Sequence, residues 1–278
     1  MESKIAEALA LSLSPVALVW SDEKPADAVQ FQEGRWGCVM WLLAGAAKGK
    51  TAAADRSTFG CFGGGVGLGF GNRYGSFPGG EETFCRFLSV GIEGWEKEAE
   101  VSAMAKPHMR PEAYDHLLHG ERYLKSPGRV RSFLDNLPMT DIPARYVVFR
   151  SLPQIEPNAP PPEVVIFFVD ADRLSALVVL ANYGRDSSES VIIPFAAGCQ
   201  TVGIYPYREA KSDSPRAVVG MTDLSARLCV KRILGGGLMT FAAPWRMFLE
   251  MEANVSGSFL ERPVWRELIR KDPLKTSG

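Results

Sequence analysis

Three observations predict an α+β fold, with a mixed sheet, helices packed around it and a helical segment in the first half. Strand-like and helix-like patterns are mixed, without strict βαβ alternation before residue 140. Three consecutive helical patterns between about 92 and 138 are separated by Pro107, Pro111 and Pro127. From Val164 onward, short β-branched runs alternate clearly with helical stretches. The chain has 278 residues, 46% of them hydrophobic and 23% charged, enough for one sizeable core. We expect a single domain over 1–278, carrying a helical insert at about 92–138.

The elements follow in order. Ser3–Leu11 is patterned as a short helix, Pro15–Trp20 as a strand and Ser21–Pro25 as a turn. A short strand at Val29–Phe31 precedes a helix over Trp36–Gly49, which Gly49 stops. Residues 60–80, GCFGGGVGLGFGNRYGSFPGG, are expected as a glycine-rich loop. Helices are expected at Glu81–Val90, Trp95–Met104, Arg110–Leu124 and Pro127–Asn136, then a strand at Ala144–Leu152. Five prolines make 153–162 a loop. Val164–Val169 reads as a strand, and Asp170 caps a helix to Asn182. Val191–Phe195 is a strand before a short helix that Pro206 is expected to end. Ala217–Met221 is a strand, and Thr222 or Asp223 caps a helix to Leu234 that Gly235–Gly237 breaks. Met239–Ala243 is a last strand, followed by helices from Pro244 to about Asn254 and around Val264–Arg270.

A formal net charge of −1 and the lack of a dense Lys/Arg cluster argue against a nucleic-acid partner. The first twenty residues carry Glu2 and Glu7 where a secretory leader would be basic, and Ser12, Ser14 and Pro15 interrupt their apolar run. No apolar run reaches membrane-spanning length. The expectation is a cytoplasmic protein without a membrane partner, in which five cysteines do not form a disulfide framework.

Those cysteines divide into two groups. Cys38, Cys61 and Cys199 each follow a glycine, which lets the backbone bend and brings main-chain N–H groups near the sulfur. Cys85 and Cys229 follow Phe84 and Leu228 on apolar helical stripes and read as inert core filling. The first three are 23 and then 138 residues apart, with no C-x-x-C pair, so only tertiary folding could assemble them. As three thiolates they suit an iron–sulfur cluster whose remaining iron is open or held by another ligand. They also suit a zinc with a non-cysteine fourth ligand. Three unrelated small residues after turn glycines remain the plain alternative. The neighbouring glycines, Gly63, Gly64 and Gly65 among them, could present N–H groups to a cofactor or anion. They match neither the nucleotide-binding G-x-x-x-x-G-K-[ST] nor G-x-G-x-x-G, since Gly65, Gly67, Gly69 and Gly71 recur every second residue.

Other polar residues suggest less. His116 and His119 share a helix face, and a metal there would need help from Asp115 or Glu121. Asp170, Asp172 and Asp223 are better explained as helix starts than as catalytic acids. Of Arg145, Arg208 and Arg227, Arg208 best suits an anion site, since it follows Tyr205-Pro206-Tyr207 shortly after Cys199.

Several segments together resemble the uncharacterised ArCR family, domain-of-unknown-function family 169. They are SPVALVW, WGCVMWLLAGAAKGKT, FGCFGGGVGLGFGN with PGGEETFCRFLSVG, IPARYVVFRSL, LSALVVLANYG, IPFAAGCQTVGIYPYREA and AVVGMTDLSAR. The resemblance spans nearly the full length. It implies a prokaryotic protein from organisms that are often anaerobic, compatible with oxygen-sensitive chemistry, and it brings no assigned activity or catalytic residues.

Three functions stand side by side at this level. The first is a redox-related iron–sulfur protein using Cys38, Cys61 and Cys199, acting with a small molecule or a redox partner protein, and possible as a homo-oligomer. The second is a non-metal module that cradles a small anion or cofactor with the glycine loop at 60–71 and Arg208. The third is a thiol enzyme with one Gly-Cys nucleophile.

Overall fold

A computed structural model describes residues 1–35, 37–156 and 158–270. The expected helix start at Trp36 and one proline of the 153–162 loop, Pro157, lie outside the described residues. The described strands are β1 (Val16–Ser21), β2 (Ala52–Asp55), β3 (Tyr146–Ser151), β4 (Val164–Val169), β5 (Val191–Ile192), β6 (Ala217–Gly220) and β7 (Met239–Pro244). The helices before β3 are α1 (Lys4–Ala8), α2 (Val39–Ala47), α3 (Phe62–Gly67), α4 (Gly80–Phe87), α5 (Glu98–Ala105), α6 (Pro111–His119) and α7 (Pro127–Asp135). After β4 come α8 (Ala171–Asn182), α9 (Gly198–Val202), α10 (Ile204–Ala210), α11 (Leu224–Leu234), α12 (Trp245–Ala253) and α13 (Pro263–Leu268).

The chain divides into two compact units, Met1–Gly69 with Ile142–Gly278 and Phe70–Asp141. The first holds a seven-stranded sheet in the order β2-β3-β1-β4-β7-β6-β5. Its neighbours are antiparallel except the β5–β6 pair, so the sheet is mixed and the fold is α+β as expected. The strand β4, VVIFFV, is buried at every position, which suits a central strand covered on both faces. Its residues Val165, Phe167 and Val169 join one apolar cluster with Leu177 and Leu180 of α8, Phe248 and Met251 of α12, Ile5 of α1 and Trp265 of α13. Phe167 stands opposite Phe241 of β7, the two rings edge-on at 6.3 Å. Each such side chain contributes about 1.5–3 kcal/mol by leaving water. Strand alternation turns Val164, Ile166 and Phe168 to the other face. The helices α2 and α9 pack on the sheet and add no residue to this cluster.

The second unit holds α4–α7. Its core includes a cluster of Tyr74, Phe77, Phe84 and Phe87, with Tyr74 stacked on Phe84 at 4.0 Å. Cys85 is buried beside them on α4.

Two local expectations need correction, and one strand had no sequence reading: residues 52–55, three alanines and an aspartate, form β2, because pairing with β3 overrides the weak β preference of alanine. The segment FGGGVG, expected as loop, is the helix α3. Its four glycines oppose helix formation by roughly 4 kcal/mol. Packing against α9 offsets this, together with a 2.8 Å hydrogen bond from Trp20 Nε1 to the Leu68 carbonyl at the end of α3. Pro206 does not end its helix. The break falls at Gly203, and Pro206 sits in the first turn of α10, where its missing N–H costs little. The Asp170 and Asp223 caps form as expected, onto the amides of Arg173 and of Ser225 and Ala226. Among the described residues, no helix is long and apolar enough to cross a membrane.

Candidate functional site

The three Gly-Cys cysteines all belong to the first unit, on separate elements. Cys38 is the N-cap residue of α2, Cys61 that of α3, and Cys199 lies in the first turn of α9. Their glycines act through close packing. Gly60 has φ +80°, and a Cβ there would strike the carbonyl oxygen of Gly37, so the dipeptides Gly37-Cys38 and Gly60-Cys61 abut. A Cβ on Gly198 would stand 2.8 Å from the Cβ of Ala226 and 3.3 Å from Cγ of Met40. That glycine therefore lets α9 start against both α11 and α2. A Cβ on Gly67 would stand 2.7 Å from the carbonyl carbon of Cys199 and from the amide of Gln200. The glycines thus bring the cysteine-bearing segments into contact.

The sulfurs follow their backbones. Cys61, Cys199 and Cys229 each help raise the Cys38 pKa, Cys229 helps raise that of Cys61, and Cys61 that of Cys199. Cys61 Sγ accepts a 3.3 Å hydrogen bond from the Gly64 amide. The Cys199 thiol donates to the Gly63 carbonyl at 3.0 Å. The amides of Cys199 and Gln200 favour the anionic form of Cys199, as the Gly63 and Gly64 amides do for Cys61. Gly65 donates its amide to the Cys61 carbonyl inside α3.

Cys229 corrects the expected sorting. It is half-buried, and its thiol is the largest cause raising the Cys38 pKa, ahead of burial. Leu228, which suggested an apolar stripe, is 55% exposed. The buried face of α11 instead carries Ala226 and Val230, and Cys229 is three residues after Ala226 on that side. The helix α11 packs against α2 and so brings Cys229 to Cys38. Cys85 belongs to the second unit, its thiol pushed up to about 11 by burial and by Asp135 and Glu82.

Asp223 does more than cap. Its Oδ1 accepts from the Ser225 and Ala226 amides, while its Oδ2 accepts from the Gly198 amide at 3.4 Å. One carboxylate thereby ties the start of α9 to the start of α11. Its charge also raises the pKa of Cys61 and Cys199. Burial is the largest cause at both, and it pushes Cys61 up to about 11 and Cys199 well above its ordinary value. Without a cation these groups are neutral thiols at pH 7, which are poor nucleophiles. The first unit contains no histidine to serve as their base. A bound metal would reverse this balance, because a coordinating thiol is deprotonated outright.

Among the described residues, no three Cys, His, Asp or Glu side chains form a group able to hold a single metal ion. A tetrahedral zinc 2.3 Å from each sulfur needs sulfurs within about 3.8 Å of one another. The cysteines as a set are not arranged that tightly. An iron–sulfur cluster interposes iron and sulfide between its thiolates and suits a wider frame.

The remaining expected residues stand elsewhere in local contacts. Arg208, on α10, pairs with Glu209 at 2.8 Å and lies over the Tyr205 ring at 5.1 Å. His116 meets Glu121 at 3.3 Å, and His119 meets Glu93 and Asp115. Arg145 and Arg56 line a separate open cavity of about 490 Å³, with Asp22, Asp55 and Tyr146. Sequence reasoning missed the closeness of Cys229 to Cys38 and the second contact of Asp223. The available signal was the spacing within α11, where 223, 226, 229 and 230 follow one side of the helix.

No curated protein and no solved structure matches the chain. The model of the uncharacterised ArCR family, domain-of-unknown-function family 169, matches residues 4–254, and the chain belongs to that family.

Proposed function

We propose that this protein binds an iron–sulfur cluster through Cys38, Cys61 and Cys199 and serves redox chemistry in the cytoplasm. The observation that supports the reading is that these three cysteines, far apart in sequence, lie at the starts of α2, α3 and α9, whose backbones approach one another at Gly37, Gly60, Gly67 and Gly198. Each cysteine would act as a thiolate ligand. The amides of Gly63, Gly64 and Gln200 would donate to ligating sulfur, a contact that tunes cluster potential. The cluster would supply one-electron chemistry, shared with a redox partner protein or a small molecule.

The thiol-enzyme reading is less well supported, since burial keeps Cys61 and Cys199 protonated. For the anion-module reading, Arg208 is already joined to Glu209. The test is anaerobic purification with a visible spectrum and assays for iron and acid-labile sulfide. We expect a coloured protein whose colour is lost in Cys38→Ser, Cys61→Ser and Cys199→Ser and kept in Cys85→Ser. A folded protein that is colourless and free of iron, and that takes up neither iron nor sulfide on anaerobic reconstitution, would remove this reading.

A further inference from the structure

We propose that the open cavity at one end of β1, β2 and β3 binds a small organic anion, with its carboxylate or phosphate on Arg145 and its apolar body against Pro143, Ala144 and Tyr146. The cavity shares no residue with the cysteine site, so the inference stands or falls apart from the cluster reading.

The position follows from strand register. Tyr146, the first residue of β3, stands opposite Ser21, the last of β1, and Asp55, the last of β2. These strands are neighbours in the sheet, so the residues just beyond them gather at one end. Asp22 follows β1, Arg56 and Ser57 follow β2, and Pro143, Ala144 and Arg145 precede β3. With Asp55 and Tyr146 they line about 490 Å³, the size of a small-molecule site rather than of one bound ion. The walls are tied to one another. The Arg145 amide donates to Asp22 Oδ1 at 3.2 Å, and Arg56 Nη2 donates to the Ile142 carbonyl at 3.0 Å. A ligand therefore meets a frame already built, which lowers the cost of ordering the site on binding.

The donors decide what enters. Among the described residues, the Arg145 guanidinium makes no hydrogen bond and no ion pair. It lies over the Tyr146 ring, with Cζ 5.6 Å from the centroid. That face contact leaves its N–H edges to a planar carboxylate or a phosphate. The two carboxylates of the lining do not occupy it. Asp55 Oδ1 accepts from the amides and hydroxyls of Ser57 and Thr58, and Oδ2 accepts from Gln30 Nε2, so this group is spent on its own turn. Asp22 holds the backbone of Arg145 and not its guanidinium. The Tyr146 hydroxyl, also without a hydrogen-bond partner among the described residues, is a further donor on the lining. Pro143, Ala144 and the Tyr146 ring add apolar wall that an inorganic ion would leave uncovered, which favours an organic body.

The experiment titrates the full chain and follows the backbone amide NMR signals of Ser57, Arg145 and Tyr146. The probes are benzoate and phenyl phosphate, which join an aromatic body to each head group, inorganic phosphate, which has no body, and benzyl alcohol, which has no charge. We expect saturable shifts at those amides with benzoate, phenyl phosphate or both, about 10-fold tighter than with inorganic phosphate or benzyl alcohol. The tighter of the two organic probes identifies the head group. Arg145→Gln should weaken that binding by about 10-fold or more. Arg145→Lys keeps the charge without the fork and should recover only part of it. Arg266→Gln, an exposed arginine on α13, should match wild type. The inference is overturned if neither organic probe saturates by about 10 mM, or if the shifts fall only elsewhere in the chain. It is overturned equally if inorganic phosphate or benzyl alcohol binds as tightly as the organic anions, or if Arg145→Gln binds as wild type does. Should Arg145→Gln fail to fold by circular dichroism, Arg145→Lys and the wild-type shifts decide.

Discussion

Gly67→Ala probes the contact on which the site's assembly depends. Gly67 is the last residue of α3, and a methyl there would sit 2.7 Å from the carbonyl carbon of Cys199 and from the Gln200 amide, and 2.9 Å from Cys199 Cβ. Ordinary contact begins near 3.4 Å, so the two helices must part by about 0.7 Å. The opposing atoms are backbone and Cβ, so no side-chain rotation relieves the clash. Overpacking of this kind costs about 1–3 kcal/mol, and the upper half applies where backbone must move. Alanine returns at most about 1 kcal/mol through its better helix propensity. The net expectation is a loss of about 1–2 kcal/mol, or roughly 2–8 °C in melting temperature for a unit of this size. Gly128→Ala is the control, because a methyl at Gly128, in the first turn of α7, meets nothing within 4 Å. The assay is a paired thermal and urea melt of both variants against wild type. A Gly67→Ala protein as stable as wild type, or more so, would refute the claim that α3 and α9 meet through backbone.

Three further outcomes can be checked by the same melts. Trp20→Phe keeps most of the ring but removes the buried 2.8 Å bond to the Leu68 carbonyl, and should cost about 1–3 kcal/mol; no measurable change would show that α3 is not anchored there. Thr240 Oγ1 is buried without a hydrogen-bond partner, so Thr240→Val should stabilise by about 1 kcal/mol, and a destabilised variant would contradict the placement. Burial alone would raise the Glu209 pKa, but hydrogen bonds from Arg216 and Arg208 overcome it and hold the carboxyl below its ordinary range. Its contribution is therefore present above about pH 4.3, the unfolded value, and is lost as pH falls through the lower folded value. Urea melts from pH 7 to pH 3 should show a steeper acid loss in wild type than in Glu209→Gln. Parallel curves would remove the argument.

Much of the fold was legible because its signals are local. The apolar run of β4, the alternation from Val164 onward and the Asp170 and Asp223 caps each act within a few residues, and all appear as expected. The mixed α+β class and the family membership follow from such segments. What escaped was decided by neighbours distant in sequence. Residues 52–55 are a strand because β3 pairs with them, and residues 62–67 are a helix because α9 packs against their bare backbone. The cysteines show the same division. That Cys38, Cys61 and Cys199 belong to one class was readable from the glycine before each. That Cys229 lies near Cys38 while Cys85 belongs to the other unit was decided by helix packing, since α11 packs against α2 and α4 buries Cys85 in the second unit. A residue's immediate neighbours set its backbone and its helix face; which thiol it meets depends on how the helices pack in space.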